Sequence, residues 1–212
     1  MTPLSREHII REALRLIDAD GLDALSMRKL GKAMNVDAKA MYYYFPDKES
    51  LIAGVLEMAF AQMDLPPVLH GSWKSQLRHI AIAYAKLVGE HPNLLPFLMT
   101  LDGSIPAVFQ IVERVVAALK DTGLKARSIF QIVDLFATFV PTFALSVRRE
   151  VSTAEQVYAR VMALPTGEFP AVQTLLKGLR VEELDEDFEY QLETILLGIE
   201  TRIRRETTIM RS

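Results

Sequence analysis

The chain has 212 residues, with 24 Lys and Arg, 27 Asp and Glu, and no cysteine. The absence of cysteine excludes a disulfide scaffold, a Cys-ligated metal site and a thiol nucleophile. The net charge of −3 argues against a protein that coats nucleic acid by bulk charge. There is no apolar run of about 18 residues, and the charged N-terminus does not fit a signal peptide. We therefore expect a cytoplasmic protein with no membrane partner.

Helical periodicity and capping residues divide the first 65 residues into four predicted helices. The predicted ranges are 5–20, 27–34, 38–44 and 48–65. Gly21 is placed to end the first helix, and Ser26, Asp37 and Asp47 are placed to cap the next three. Two short helices joined by a few residues, within a helical unit of about 60 residues, are typical of a helix-turn-helix.

Helical patterns continue after the Pro66-Pro67 pair and fill the rest of the chain. The predicted ranges are 73–90, 92–99, 105–121, 124–148, 153–163, 169–178 and 186–205. No alternating strand pattern lasts more than a few residues. The sequence therefore predicts an all-α fold, with an N-terminal three-helix helix-turn-helix head and a C-terminal α-helical body.

A local excess of positive charge coincides with the predicted helix-turn-helix. Between residues 28 and 48, five basic residues accompany two acidic ones. The basic residues are Arg28, Lys29, Lys32, Lys39 and Lys48. Phosphate neutralisation needs cations concentrated on one face, and a net-acidic protein can supply them there. Arg28 alone would be a solvated surface charge, but at the start of a helix it has phosphate and guanine as possible partners.

Three consecutive tyrosines follow in the second short helix. They are Tyr42, Tyr43 and Tyr44. If one face of the helix buries Met41 and Phe45, the first two tyrosines and Ala40 are left available to a DNA groove. Tyrosine hydroxyls bond phosphates, and Ala38 or Ala40 can approach thymine methyl groups closely. The alternative is that the tyrosines belong to a packed core.

Longer patterns carry a family resemblance. The head contains Ala13-Leu14-x-Leu16-Ile17, Gly21-Leu22-x-Ala24-Leu25-Ser26-Met27-Arg28-x-Leu30-Gly31 and Tyr42-x-x-Phe45-x-x-Lys48-x-x-Leu51. The body contains Ser72-Trp73-x-x-x-Leu77-Arg78 and Phe188-Glu189-Tyr190-x-Leu192-x-x-Ile195-Leu196-x-Gly198-Ile199-Glu200. Over nearly its whole length the chain resembles the tetracycline-repressor (TetR) family, including that family's C-terminal domain.

The resemblance implies a homodimer whose third helices enter successive major grooves of a palindromic operator. It implies a DNA-binding domain over 1–47, a connecting helix over 48–65, and an effector-binding and dimerisation domain over 66–212. Matched residue by residue, it places Arg28, Lys39, Ala40, Tyr42, Tyr44 and Lys48 at DNA contacts. Because alanine stands at 38 and 40, where small polar residues are common, base reading shifts toward Lys39 and Arg28. The full predicted DNA-binding set is Arg28, Lys29, Ala38, Lys39, Ala40, Tyr42, Tyr43, Tyr44 and Lys48.

Two long apolar helices late in the chain are candidates for the dimer interface. Packed with their copies, the helices at 124–148 and 186–205 would form a four-helix interface, as the family does. The alternative is that both helices form the core of the monomer. The predicted interface residues are Ile129, Val133, Phe136, Val140, Leu192, Ile195, Leu196 and Ile199.

An effector pocket is expected among the helices between residues 73 and 148. The predicted lining residues are Tyr84, Leu98, Leu101, Phe109, Glu113, Asp134, Thr138 and Thr142. The alternative for each polar residue of this set is a side chain that is solvated or hydrogen-bonded within the core. The metal-binding histidine of the tetracycline repressor aligns near Leu98 or Met99, which favours a largely apolar effector and no cofactor.

The sequence contains no catalytic constellation. Its four histidines are scattered, and there is no HExxH, phosphate loop or GxGxxG motif. We therefore expect that the protein is not an enzyme. We expect a ligand-responsive DNA-binding transcriptional regulator, namely a repressor that a small effector releases from its operator. The alternative is a helical protein-interaction module without DNA binding, which would show no salt-dependent affinity for duplex DNA.

Overall fold

Ten α-helices and two short 3-10 helices make up the described part of the chain, and no strand occurs within it. The computed structural model describes residues 4–66, 68–98, 105–147, 159–160, 162–165, 169–177 and 187–209. The helices are α1 (Arg6–Asp20), α2 (Met27–Ala33), α3 (Ala38–Tyr44), α4 (Lys48–Ala61), α5 (Trp73–Glu90), α6 (Leu95–Leu98), α7 (Pro106–Leu119), α8 (Ala126–Val147), α9 (Pro170–Lys177) and α10 (Asp187–Ile209). The all-α prediction is confirmed.

The predicted boundaries differ from the observed ones by a few residues. Helix α4 ends at Ala61 and not at 65, because the N–H of Gln62 already bonds to the carbonyl of Ala59 in a tighter turn. The 3-10 helix Leu22–Ala24 was not predicted. The predicted helix at 153–163 lies largely outside the described residues. No helix within the described ranges is long and apolar enough to span a bilayer.

Each of the first four helices is capped at its N-terminus by a polar side chain. Ser5, Ser26, Asp37 and Asp47 each accept a hydrogen bond from a backbone N–H two or three residues further on. At α4 the cap is reciprocal, because the Ser50 hydroxyl in turn accepts from the backbone N–H of Asp47. The hydrogen bonds from Ser50 stabilise the carboxylate and lower the pKa of Asp47.

Helices α2 and α3 meet in a tight turn around Asn35, whose φ of 55° lies in the left-handed region that asparagine tolerates. The N–H of Val36 donates to the carbonyl of Gly31 at 2.9 Å. A Cβ atom at Gly31 would lie 2.9 Å from the Val36 carbonyl oxygen and 3.2 Å from the Cα of Ala38. The close approach of the two helices therefore requires glycine at position 31.

A continuous hydrophobic core joins the head to the beginning of the body. Ile9 and Ile17 of α1 pack with Leu51 and Val55 of α4, and all four are fully buried. The same core includes Leu87, Leu94, Ile105 and Ala107 from the body. It therefore contains residues from both sides of positions 47 and 65. The backbone forms two compact units, Met1–Pro141 and Thr142–Ser212.

The second unit has apolar side chains of its own on α8 and α10. The rings of Phe143 and Phe188 lie 4.9 Å apart. Leu192, Leu196 and Ile199 of α10 are buried within the single chain. These side chains are covered by the chain itself, and their place in a dimer interface stays a prediction.

The other predicted interface residues, on α8 and α10, differ in burial. Phe136 and Val140 are buried within the single chain, while Ile129, Val133 and Ile195 are half-buried. Apolar periodicity showed that these helices carry a wide apolar surface, but it did not show which part meets the rest of the same chain. The exposed large apolar residues on α8 and α10 are Phe130, Leu135, Tyr190, Leu197 and Ile209.

The substitution Gly31→Ala tests the helix-turn-helix geometry. We expect it to lower the free energy of unfolding by about 1–3 kcal/mol, because the added methyl group forces α2 and α3 apart. Gly89→Ala in α5 is the matched control, since nothing lies within 4 Å of its Cβ position. The control should gain about 0.5–1 kcal/mol from helix propensity. Urea unfolding followed by circular dichroism measures both, and equal effects would contradict the close approach.

Candidate nucleic-acid interface and ligand cavity

Helix α3 presents two different faces. Met41 and Phe45 are fully buried beneath it, whereas Tyr42 is 54% exposed and Tyr43 is 88% exposed. The helix is held at its start by Asp37, whose carboxylate accepts from the N–H of Lys39 at 2.8 Å. Tyrosine is enriched at interfaces because its ring is apolar and its hydroxyl can bond to a partner. Two neighbouring exposed tyrosines make this side of α3 a candidate binding face.

Unlike the side chains of Tyr42 and Tyr43, the side chain of Tyr44 is half-buried and makes a hydrogen bond within the head. Its hydroxyl donates to the carbonyl oxygen of Leu4 at 3.0 Å, and its ring lies edge-on to that of Tyr43. The guanidinium group of Arg6 lies 4.5 Å from the centre of the Phe45 ring, and its Nη1 donates to the Tyr44 carbonyl at 3.4 Å. A phosphate contact of the Tyr44 hydroxyl would have to compete with the Leu4 bond, so we assign Tyr44 a positioning role.

The predicted basic residues of the head have different surroundings. Arg28 and Lys39 are exposed. The ammonium group of Lys29 pairs with Asp20 at 2.6 Å, which lowers the pKa of Asp20. The Lys48 ammonium donates to the carbonyl of Leu22 at 3.4 Å and is half-buried. Because its charge is balanced by Asp20, Lys29 is the least suited of the four to bind phosphate.

Polar contacts join the end of α1 to the segment between α5 and α6. The imidazole Nδ1 of His91 lies 2.9 Å from the carboxylate of Asp18. The side-chain amide of Asn93 donates to the carbonyls of Ile17 and Asp18 at 3.0 and 3.1 Å. The Ile17 carbonyl also accepts from the N–H of Gly21, and the Asp18 carbonyl lies in the last turn of α1, where a helix leaves acceptors without partners. His91 is thus part of a helix-end contact, and the described residues contain no cluster of three metal-ligating side chains.

Helices α4, α5, α7 and α8 surround an apolar cavity within the first unit. Its empty volume is about 440 Å³, part of which is open to solvent. It is lined by Phe60, Ile80, Ala81, Tyr84, Val108, Ile111, Val112, Val115, Val133, Phe136 and Ala137. Small-molecule sites are concave and mostly apolar in this way. Burial raises the pKa of Tyr84 to about 12.

Phe60 gives the cavity a direct connection to the head. It lies in the last full turn of α4, and its ring centre is 6.0 Å from that of Tyr84. The opposite end of α4 begins with Lys48, directly after α3. One helix therefore lines the cavity near one end and begins, at its other end, shortly after α3 in the chain.

Of the predicted pocket residues, Tyr84 lines this cavity. Leu98, Phe109, Glu113, Asp134, Thr138 and Thr142 are not among its lining residues, and Leu101 lies outside the described residues. The Thr138 hydroxyl donates back to the carbonyl of Asp134 in its own helix. Val133 and Phe136, predicted for the dimer interface, line the cavity instead.

The sequence reasoning missed most of the α7 wall. Val108, Ile111 and Val115 recur at helical spacing, a signal that marks a buried face but does not separate a cavity wall from a packed core. Phe60 was not predicted as a cavity residue for a different reason. It lies in the predicted connecting helix, 48–65, whereas the pocket was expected among helices between residues 73 and 148.

Two family models match the chain. Residues 9–55 match bacterial regulatory proteins of the tetR family, and residues 65–203 match the tetracyclin repressor-like C-terminal domain. The chain belongs to the TetR family. Proteins of this family are helix-turn-helix transcriptional regulators and not enzymes. The chain is accordingly a DNA-binding transcriptional regulator.

Individual relatives support the same assignment. The HTH-type transcriptional repressor Rv1353c of Mycobacterium tuberculosis is 27% identical over 206 residues, which cover 91% of this chain and 79% of the relative. The crystal structure of apo ActR from Streptomyces coelicolor superposes with a TM-score of 0.80 at 27% identity, covering 97% of this chain and 99% of ActR. ActR in complex with actinorhodin gives a TM-score of 0.79 at 25% identity, with 94% and 98% covered.

Comparing Tyr44→Phe with Tyr42→Phe tests the positioning role of Tyr44. We expect Tyr44→Phe to change DNA affinity less than about twofold, because it removes a hydroxyl bonded to Leu4. Tyr42→Phe removes an exposed hydroxyl and should weaken binding about fivefold, the value of one hydrogen bond of about 1 kcal/mol. Fluorescence anisotropy with a labelled duplex from upstream of the chain's own gene measures both. Equal losses would place the Tyr44 hydroxyl on the DNA.

Proposed function

We propose that this chain is a transcriptional repressor that binds a palindromic operator as a homodimer and leaves it when a small, largely apolar effector enters the cavity. The observation that carries the proposal is the position of Phe60, which lines the cavity from α4. Ligand binding at Phe60 acts on the same helix that follows the exposed face of α3. The proposed functional domains remain 1–47 for DNA binding, 48–65 for connection, and 66–212 for effector binding and dimerisation.

The exposed side chains of α2 and α3 suit a major groove. Arg28, Lys39, Tyr42 and Tyr43 are exposed, and Lys48 retains donors beyond its contact with Leu22. Cations and hydroxyls of this kind bind phosphate oxygens, while Lys39 and Arg28 have the donors that guanine accepts. Half-buried Ala38 and Ala40 allow the helix to approach thymine methyl groups.

In a homodimer the second copy supplies a second α3 helix, one for each half-site of a palindromic operator. We propose that α8 and α10 each contribute apolar residues to the dimer interface, including half-buried Ile129 on α8 and half-buried Ile195 on α10. Symmetric interfaces of this type bury large apolar areas, and a two-fold axis matches a palindromic operator.

The effector class follows from the cavity lining. All lining side chains except Tyr84 are apolar, so burial of an apolar molecule supplies most of the binding free energy. ActR, which this chain resembles in fold over most of its length, has been crystallised with actinorhodin. That ligand belongs to ActR, and its presence there supports a small organic molecule as the effector of this chain.

Repression is relieved if the effector binds the DNA-free arrangement more tightly than the DNA-bound one. Half-sites on a duplex lie about 34–36 Å apart, so a change of a few ångströms in the separation of two α3 helices loses one half-site. A displaced Phe60 moves the end of α4, and α4 is packed along α1 through Leu51 and Val55. The head therefore moves as one body with α4.

Alanine substitutions in the head test the DNA interface. Tyr42→Ala and Lys48→Ala should weaken binding to operator and scrambled duplexes about equally, and Lys48→Ala should lower the slope of affinity against salt by about one. Lys39→Ala should also reduce the preference for the operator, by about tenfold. Anisotropy titrations at two salt concentrations measure all three.

Lys86→Ala is the matched control for charge, because Lys86 is an exposed lysine on α5 away from the helix-turn-helix. It should leave both affinities unchanged. If none of the head variants changes affinity, α3 is not the recognition helix. If the unmodified chain shows no salt-dependent binding to any duplex, the protein-interaction alternative replaces the proposal.

Filling the cavity tests the effector site. Val112→Trp places a larger side chain on the α7 wall and should abolish the fluorescence increase of the neutral probe N-phenyl-1-naphthylamine. DNA affinity should stay within about twofold, which also shows that the variant folds. Val172→Trp, at an exposed position of α9, is the control for an added indole ring. Probe binding that survives Val112→Trp unchanged would place the probe elsewhere and contradict the assignment.

A further inference from the structure

Tyr84 is the one polar side chain among the residues that line the cavity. It lies in α5, beside Phe60, and it is half-buried. Its hydroxyl forms no hydrogen bond with any other residue in the described part of the chain, and it is not among the fully buried atoms that lack a partner. The hydroxyl is therefore open to water or to a bound molecule. An acceptor on a ligand that replaces water there gains a hydrogen bond in apolar surroundings.

The protonation state of Tyr84 determines which partner suits it. Burial raises the pKa of Tyr84 to about 12, because the apolar surroundings disfavour the phenolate. Near neutral pH the side chain is therefore a protonated phenol, a hydrogen-bond donor without charge. Its preferred partner is an acceptor oxygen.

We propose that the Tyr84 hydroxyl selects effectors that are uncharged and apolar and carry one acceptor oxygen, such as the carbonyl of a ketone or an ester. This inference rests on the proposed function, since it takes the cavity to be the effector site. It adds the specificity-determining contact and the chemical class of the ligand.

The rest of the lining argues against a charged ligand. No Lys, Arg, His, Asp or Glu is among the lining residues. A carboxylate or an ammonium group entering the cavity would lose its hydration without gaining an ion pair. A single neutral acceptor can be satisfied by Tyr84 alone.

Anchoring at Tyr84 also favours a ring-shaped ligand. The rings of Phe60 and Tyr84 are tilted by 32° to each other, and Phe136 contributes a third ring to the wall. Aromatic side chains pack favourably against flat apolar surfaces. A ring system whose oxygen bonds to Tyr84 would lie against Phe60, the cavity residue supplied by α4.

Competition between matched small molecules tests the contact. The full chain is loaded with N-phenyl-1-naphthylamine, which is then displaced by tetralin, 1-tetralone or 1-naphthoate. Tetralin and 1-tetralone share one bicyclic skeleton and differ by a carbonyl oxygen, while 1-naphthoate carries a charge. We expect 1-tetralone to bind about tenfold more tightly than tetralin, and 1-naphthoate to displace the probe least.

Tyr84→Phe removes only the hydroxyl and should abolish the preference for 1-tetralone while leaving tetralin affinity unchanged. Tyr190→Phe makes the same chemical change at an exposed position of α10 and should leave the preference intact. A preference that survives Tyr84→Phe, or equal affinities in the unmodified chain, would overturn the anchor alone. A probe that does not bind, or that binds the Val112→Trp variant equally well, would overturn the cavity as the effector site and the anchor with it.

Discussion

The packing of α4 against α1 is the constraint on which the rest of the molecule depends. Gly54 shows how close that packing is, since a Cβ atom there would lie 3.0 Å from the Cδ1 of Ile10 and 3.4 Å from the ring of Phe45. Phe45 directly follows α3, so the same contact supports the candidate binding face from below. A 14-residue helix spans about 21 Å, which is enough to reach from the helix-turn-helix to the cavity.

The polar groups of the head are arranged around this apolar support. Buried side chains of α3 and α4 fix the orientation of the helices, while Tyr42 and Tyr43 are exposed. Three other residues of the basic and aromatic cluster make polar contacts within the head. Tyr44 is bonded to Leu4, Lys48 to Leu22 and Lys29 to Asp20. Membership of a motif therefore did not by itself identify a binding residue.

Much of the fold follows from the sequence because its signals are local. Ser26, Asp37 and Asp47 mark helix starts that depend on hydrogen bonds spanning two or three residues. The division of α3 into a face with Met41 and a face with Tyr42 follows from helical spacing alone. The cavity wall did not follow, because the sequence does not show which neighbour covers an apolar residue such as Val133. That information lies in the tertiary arrangement.

The contact of His91 and Asn93 with the end of α1 has a mechanical consequence. The head is attached to the body both through α4 and at Asp18, on a different helix. This polar contact adds to the apolar core that also joins the two parts. Any movement of the head away from the segment between α5 and α6 would therefore have to break hydrogen bonds at Asp18 as well as separate apolar side chains.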